Sequence, residues 1–584
     1  MTIPLRSEYP RPDFIRDNWL SLNGKWNFSF DDDSFNREII VPFSYETQLS
    51  GLGITEFHST VWYRRTFTVP ASMKGSLLML HFGAVDYSCQ VWINQALVAT
   101  HTGGQTGFSA DITDVAFFGS INTVVVKVTD DHHDMEMPRG KQTWKEAPHS
   151  IFYTHTTGIW QSVWLEAVPR EHLSSVRLTP LFDEKAIRID YKLNGDQGLS
   201  LGLEIEFQGK PVTSVTVQSQ GRKGSLTIDL DQPSLQAWNF YEDLAWSPEN
   251  PRLFDIVFHV YREKELMDTV RSYFGIRKIS CENGAVLLNN RPYYLKMILD
   301  QGYWPHSMLT APSDDAFIED IEAVKAMGFN GVRKHQKVED PRFLYHADRL
   351  GLLVWSEIGA AYVYSSEYAV NMYREWADAV QRNYNHPCIV AWVPLNESWG
   401  VQEIHSSALQ QEHSKALYHM TKSLDNTRIV VDNDGWEHVC GDLLTIHDYE
   451  SDPDILTERY HTLRSILDYL PIGKQLFIGS AYASEPIIVS EFGGTCFGDA
   501  PSQVDVWGYS EAHSADEFLT HLERLIQALQ RSDFVQGYCY TQLTDVGAEQ
   551  NGLLDYHHKP KFPLDLIRQI NDGKFTRSLK PEEP

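Results

Sequence analysis

The chain has 584 residues, a formal net charge of -28, 42% hydrophobic residues and six cysteines. This length predicts several domains, and the negative charge disfavours binding to nucleic acid or to anionic membranes. No apolar run is long enough to span a bilayer or to form a signal peptide at the N-terminus. Because the cysteines are scattered without a Cys-x-x-Cys pair, we expect a reduced, cytoplasmic protein without a zinc site or disulfide framework.

The first half of the chain consists of short β-branched and aromatic segments separated by Gly, Asn and Asp, which is typical of antiparallel sandwiches. We predict one β-sandwich over residues 1–169. A second set of strands follows over residues 170–278, and its length of roughly a hundred residues fits one immunoglobulin-like sandwich. The clearest strands are residues 62–70, 77–82, 90–94, 122–128, 186–191 and 253–260.

After residue 278 the spacing of apolar residues along the chain changes, and predicted strands alternate with segments of helix length. Ser313 predicts the start of one helix and Gly328 its end. Eight strand–helix alternations predict a (β/α)8 barrel over residues 279–578. The predicted barrel strands are residues 293–299, 331–335, 352–357, 389–393, 428–432, 443–447, 487–491 and 537–543.

Two glutamates end predicted barrel strands: Glu397 follows the fourth strand and Glu491 ends the seventh. Glu397 taken alone could equally be a solvated loop residue. Barrels of this class place their active sites at the C-terminal ends of the strands, however. Since glycoside hydrolysis needs two carboxyl groups, one as acid and one as nucleophile or base, the pair predicts that chemistry.

Several motifs resemble those of glycoside hydrolase family 2, the family of β-galactosidases, β-glucuronidases and β-mannosidases, over nearly the whole chain. They are residues 157–166, 274–277, 328–333, 350–357, 396–398 and 490–493. The resemblance implies a jelly-roll-like sugar-binding sandwich, an immunoglobulin-like sandwich and a catalytic (β/α)8 TIM barrel. It also implies that Glu397 is the acid/base, that Glu491 is the nucleophile and that Asn396 contacts the sugar 2-hydroxyl.

The chemistry sets different requirements for the two glutamates. Retaining hydrolysis needs one carboxyl group protonated and one ionised, about 5–5.5 Å apart. We therefore expect a less polar or more anionic environment to raise the pKa of Glu397. Glu491 should be kept ionised by Arg333, with a hydrogen bond from Tyr449. The alternatives are a structural ion pair for Arg333 and packing under a loop for Tyr449.

Other polar and aromatic residues at strand ends are candidate sugar contacts, although a lone histidine is more often simply hydrogen-bonded in place. The candidates are Asp300 and Gln301 after strand one, His335 after strand two, His447 in strand six, Tyr540 in strand eight, and Trp399 with Trp355 and Trp436 as alternative stacking floors. His132, His133 and Asp134 resemble metal ligands. We interpret them as a solvated loop and assign no metal.

The preferred substrate follows from what is missing after strand eight. Residues 551–554 lack the Asn-x-Lys with which β-glucuronidases hold the uronate carboxylate, and a buried carboxylate without a cation is costly. We therefore predict a retaining exo-glycosidase for terminal β-linked sugars, with galactosides preferred. A β-uronidase that uses Lys334 or Lys559 is the alternative.

A non-catalytic carbohydrate-binding protein is the third possibility, but such a protein would be expected to have lost one strand-end glutamate. The predicted reaction needs carbohydrate and water and no cofactor. Formation of a homo-oligomer stays open.

Overall fold

The structure, a computed structural model, describes residues 6–195, 197–235, 237–497 and 507–574. The predicted end of the barrel at residue 578 lies outside these residues. The first domain packs a six-stranded and a four-stranded sheet face to face around one apolar core. In strand order the sheets are Arg37–Val41, Gly24–Phe30, Thr60–Thr68, Ile121–Thr129, Ser88–Ile93 and Ala96–Thr102, and Trp19–Ser21, Val163–Val168, Leu77–Phe82 and Phe108–Asp111.

The second domain is a seven-stranded antiparallel sandwich with its own apolar core. Its strands alternate between buried and exposed residues, as in Phe254–Arg262, because successive side chains point to opposite faces of a sheet. The sheets are His172–Leu181, Ala186–Asn194 and Lys223–Asp229, and Lys210–Gln218, Leu199–Phe207, Phe254–Arg262 and Glu265–Phe274. A small sheet of Ile279–Glu282, Ala285–Leu288 and Arg291–Pro292 leads into the barrel.

The third domain is a barrel of eight parallel strands, most of which are buried along their whole length. Strands buried on both faces read as continuous apolar runs, which is why the sequence revealed them. The strands are Leu295–Asp300, Gly331–Lys334, Leu353–Glu357, Ile389–Val393, Ile429–Val430, Leu444–Asp448, Ile487–Gly493 and Val535–Thr541. The longer helices are Asp314–Ala326, Pro341–Leu350, Ser366–Asn383, Ala408–Leu424, Ala515–Gln530 and Leu564–Asn571, with Pro453–Arg459 and Leu463–Leu467 after strand six. The predicted order of two sandwiches and a barrel is confirmed.

One detail of the prediction is wrong, because no helix connects strands five and six in the described chain. Residues 431–443 form an irregular segment there, and the hydrogen-bonded sheet runs from strand five through strand one to strand six without pairing five to six. Asp432 holds this segment together by accepting hydrogen bonds from Val439 N at 2.7 Å and His438 Nδ1 at 2.9 Å. The segment brings Asp434 to the barrel mouth.

The first domain also contributes to the barrel mouth, through residues 130–157. Backbone hydrogen bonds join Tyr362 N to Met135 O at 2.8 Å and Gly140 N to Ala360 O at 3.1 Å. His132 in this segment is buried, stacks on Phe57 and lies 3.4 Å from Asp130, so the prediction of a solvated loop is wrong for it.

Among the described residues, no helix combines the length and the apolar character that a membrane crossing requires.

Candidate active site

Glu397 follows the fourth barrel strand in a strained backbone conformation. Its φ is +52° and that of Ser398 is +57°, in the left-handed region that non-glycine residues rarely occupy. Two hydrogen bonds from the segment after strand five hold this turn: Glu397 N donates to Asp434 O at 2.9 Å, and Ser398 N donates to Asn433 Oδ1 at 3.0 Å. Such strain is typical of functional positions, because the surrounding structure must maintain it.

Glu491 lies in the seventh strand and is 4% exposed. Arg333 Nη1 lies 3.2 Å from its Oε1, and the Tyr449 hydroxyl donates to its Oε2. Both predicted contacts are therefore present. A cation and a hydroxyl donor both stabilise the charged form of a carboxylate.

Arg333 is completely buried and connects several strand ends. Its Nε lies 2.8 Å from Glu357 Oε1 and its Nη1 2.7 Å from Asp434 Oδ2. Nη2 donates to Asn396 Oδ1 at 3.1 Å. Burial lowers the pKa of Arg333, but Asp434, Glu357 and Glu491 outweigh burial and raise it. The guanidinium is thus permanently charged and orients both the residue beside Glu397 and the Glu491 carboxylate.

His447 lies between the two glutamates. Its Nδ1 is 2.8 Å from Glu397 Oε1, and its Nε2 is 2.9 Å from Asp434 Oδ2 and 3.5 Å from Glu491 Oε1. Burial lowers the pKa of His447, but Glu491, Asp434 and Glu397 outweigh burial and raise it to about 10. The imidazole is therefore protonated at neutral pH and touches both carboxylates of the pair.

This contact overturns the expected raised pKa of Glu397. Burial does raise the pKa of this carboxyl group, but the hydrogen bond and charge of His447 outweigh burial and lower it. The free site therefore holds an ionised Glu397 beside a protonated His447. Nothing in the local sequence around Glu397 indicated this, since His447 is fifty residues away.

Aromatic rings border the pair. Trp399 Nε1 donates to Glu397 Oε2 at 3.3 Å, and its ring packs edge-on against Tyr362 and against Phe152 of the first domain. Tyr449 stacks on Tyr509 with ring centroids 3.4 Å apart. Two other tryptophans were candidates for stacking on the sugar ring. Trp436 packs edge-on against the His447 ring, whereas Trp355 is fully buried in the barrel wall.

Several predicted sugar contacts are instead engaged within the protein. His335 Nδ1 lies 3.0 Å from Glu357 Oε2. Asp300 accepts from Lys334 Nζ and from Gly302 N, both at 2.8 Å, so its two oxygens are used. Tyr540 was wrongly predicted: the Thr541 hydroxyl lies 3.2 Å from the Tyr449 hydroxyl, and because neighbouring strand residues alternate in direction, Tyr540 faces the other way, against Phe492.

The sequence interpretation missed Glu357 and Glu549 at the mouth, whereas it did name Gln301. Glu357 ends strand three and could have been found by the rule that selected Glu397 and Glu491. Glu549 is buried and accepts a hydrogen bond from Tyr153 of the first domain, and burial raises the pKa of its carboxyl group. Gln301 Oε1, Gln542 Nε2 and the Asn551 amide atoms are buried without a partner in the described structure. Such groups suit sugar hydroxyls, since an unpaired buried polar atom is costly.

Proteins of known activity resemble this chain. A β-galactosidase from Thermoanaerobacter pseudethanolicus is 28% identical over 399 residues, and the match covers 65% of this chain and about half (51%) of that protein. A β-glucuronidase from Canis lupus familiaris is 22% identical, with coverage of 96% and 91%. A GH2 β-galacturonidase structure from Eisenbergiella tayi, bound to galacturonate, superposes with a TM-score of 0.74 at 19% identity, over 98% of this chain and 99% of that one. This last likeness concerns the fold alone.

Three family models match successive parts of the chain. The sugar binding domain of glycosyl hydrolases family 2 matches residues 29–169, the model named for the family itself matches residues 171–277, and its TIM barrel domain matches residues 279–551. Because these matches follow one another with single-residue gaps and in the order of the three observed domains, the chain belongs to glycoside hydrolase family 2.

Proposed function

We propose that this protein is a retaining exo-glycosidase that removes terminal β-linked sugars by double displacement. The observation that carries the proposal is the spacing of the two glutamates, because carboxylate oxygens of Glu397 and Glu491 and a ring nitrogen of His447 all lie within 4.8 Å of one another. Retaining enzymes place their carboxyl groups about 5–5.5 Å apart, whereas inverting enzymes need about 6.5–9.5 Å to admit a water molecule.

In the first step, Glu491 attacks the anomeric carbon while the bond to the leaving oxygen breaks. Glu397 donates the proton that this oxygen takes up, and a covalent glycosyl-enzyme remains. In the second step, Glu397 accepts a proton from water, and the resulting nucleophile displaces Glu491 from the sugar. Two inversions restore the original anomeric configuration. Arg333 and Tyr449 orient Glu491 for both attacks.

His447 supplies the proton that Glu397 lacks in the free site. The proton on Nδ1 already lies on a 2.8 Å hydrogen bond to Glu397, and it moves to the carboxylate as the leaving oxygen approaches. Asp434 stays bound to Nε2 and keeps the ring oriented. After the second step, the proton taken from water returns to His447, so the cycle is balanced.

Neutral galactosides are the substrates that the charges at the mouth favour. Glu357, Asp434 and Glu549 add negative charge around the catalytic pair, whereas Arg333 is already paired with three carboxylates. A uronate would meet repulsion there and would need a cation of its own. Hydroxyl groups can instead use the amide atoms that lack a partner, namely Gln301 Oε1, Gln542 Nε2 and both amide atoms of Asn551.

A β-uronidase is the second candidate, and Lys141 is the observation that favours it. Lys334, one of the two lysines predicted for this role, is buried between Asp300 and Glu339, and Lys559, the other, is exposed. The side chain of Lys141, in the first domain, makes no hydrogen bond or ion pair within the described residues, and its charge acts on Glu397 and Glu549. It is therefore a cation available to a substrate carboxylate.

Replacing Glu491 by alanine should reduce kcat on nitrophenyl β-galactoside by at least about a thousandfold, or roughly 4 kcal/mol of transition-state stabilisation. Azide should restore part of the activity and release a glycosyl azide of inverted configuration, because it attacks where the nucleophile is missing. The exposed Glu412→Ala variant is the control and should keep normal activity. Normal turnover by E491A would exclude Glu491 as the nucleophile.

The Glu397→Gln variant should lose activity in a way that depends on the leaving group. General acid catalysis contributes about 10²–10⁴-fold, and an alkyl alcohol needs the proton far more than a nitrophenolate does. We expect the rate loss on an alkyl β-galactoside to exceed that on the nitrophenyl compound by at least about tenfold. E403Q, at an exposed glutamate, is the control. Equal losses on both substrates would contradict the assignment.

The His447→Asn variant should change the pH profile of kcat/KM. In the native site, His447 keeps its proton until the pH passes the raised pKa of this residue. The contribution of that proton to catalysis is therefore present below the pKa and lost above it. Without the imidazole, the proton must stay on Glu397 itself. The alkaline limb should move to lower pH by at least about one unit. If the alkaline limb of the H447N profile stays at the pH found for the native protein, His447 holds no catalytic proton. The variant His405→Asn, at an exposed histidine, serves as the control.

Neutral β-galactosides should be turned over with a kcat/KM at least about a hundredfold above that of β-glucuronides and β-galacturonides, or roughly 2.7 kcal/mol. Aryl glycosides of the three sugars, compared side by side, measure this ratio directly. A reversed ratio would overturn the galactoside preference. In that case K141M should remove the uronide activity selectively, whereas the exposed K559M should not.

A further inference from the structure

A second cavity, away from the catalytic pair, lies where the three domains meet; we call it the junction cavity. Its volume is about 230 Å³, and its wall includes Arg11 and Asp13 of the N-terminal segment, Gln161 of the first sandwich, Ser175 of the second sandwich and Arg382 of the barrel helix Ser366–Asn383. None of the residues around Glu397 and Glu491 lines it. Since a water molecule occupies about 30 Å³ in the liquid, the space suits a molecule the size of one sugar ring.

Two guanidinium groups at this cavity lack a carboxylate partner in the described chain. Arg382 donates from Nε to Asn383 Oδ1 at 2.9 Å and from Nη2 to Glu339 O at 2.7 Å, both uncharged oxygens. The Arg11 guanidinium lies 5.1 Å from the centre of the Phe14 ring and makes no ion pair among the described residues. Burying a charge is unfavourable, and burial lowers the pKa of Arg382 to about 10, although the charges of Asp340, Asp13 and Glu339 act in the opposite direction.

The other two arginines of the cavity wall behave differently. Arg6 pairs with Asp340 at 3.0 Å, and Arg342 pairs with Asp314 at 2.5 Å. Arg11 and Arg382 make no such ion pair within the described residues, and neither does Asp13, the buried carboxylate in the same wall. The wall therefore keeps an excess of one positive charge, in a chain whose net charge is -28. A ligand with a single negative charge would balance it.

A neutral donor lies at the same cavity. Gln161 is 4% exposed, and its amide Nε2 has no hydrogen-bond partner in the described structure. A buried donor without a partner costs about 1–3 kcal/mol, so an acceptor oxygen here would be favourable. Phe82 and Phe108 line the cavity too and stack with ring centroids 4.9 Å apart. They offer an apolar surface to the non-polar face of a ring.

We propose that the junction cavity binds a small organic acid with one ring and one carboxylate. The carboxylate pairs with Arg11 and Arg382 and accepts from the Gln161 amide, and the ring lies against Phe82 and Phe108. Asp13 in the wall selects a monoanion, since it repels the second charge of a phosphate. Because residues of all three domains line the cavity, an occupant holds the domains together and raises the melting temperature.

The test titrates the full-length protein with galacturonate, benzoate and inorganic phosphate, and measures Tm together with binding by calorimetry. Galacturonate and benzoate distinguish a sugar acid from an aromatic acid. We expect at least one of them to raise the Tm of the native protein and phosphate to have a weaker effect. Arg382→Gln should weaken that binding at least about tenfold, since it removes a charged partner.

A second pair of variants keeps the proposal testable even if R382Q does not fold. Ser175 is exposed and lines the cavity, so Ser175→Tyr should obstruct it without disturbing a core and should abolish the Tm shift. Ser174→Tyr, at a neighbour that does not line the cavity, should keep the shift. The proposal is overturned if neither acid raises the native Tm, if phosphate alone binds, or if S175Y binds the acids as well as S174Y does. None of these outcomes depends on catalytic activity.

Discussion

The buried guanidinium of Arg333 is the constraint on which the active site depends. It is completely buried and pairs with Glu357, Asp434 and Glu491, which come from strand three, the segment after strand five and strand seven. A buried charge is tolerated only when its partners are held in place. The register of strands two, three and seven and the segment after strand five are therefore tied to one side chain. The same contacts that stabilise this cation also orient the proposed nucleophile.

The carboxylates around Arg333 and the proposed acid Glu397 carry more negative charge than one guanidinium can balance, and His447 supplies the second positive charge. Its two nitrogens face Glu397 on one side and Asp434 and Glu491 on the other. The protonation states of the proposed catalytic pair are consequently coupled through one ring. This coupling explains why the pKa of Glu397 in the free site differs from the value expected for an isolated buried acid.

Two domains contribute to the proposed sugar pocket. Phe152 of the first sandwich packs against Trp399, and Tyr153 of the same segment binds Glu549 after strand eight. In the proposed enzyme, sugar specificity therefore depends partly on how the first domain docks on the barrel, and the same docking forms part of the wall of the junction cavity. Family 2 members can share barrel strands and still differ in substrate through such loops.

The sequence by itself determined the domain order, the barrel strands and the places of Glu397 and Glu491, because continuous apolar runs and strand-end carboxylates are local patterns. It also indicated that Arg333 and Tyr449 would meet Glu491. Only the tertiary structure placed His447 against Glu397, turned Tyr540 away from the pocket and brought Glu549 to Tyr153. These outcomes depend on the irregular segment after strand five, on side-chain direction within strand eight and on contacts between domains. Residues far apart in the chain decide all three, and no local pattern encodes which of them will touch.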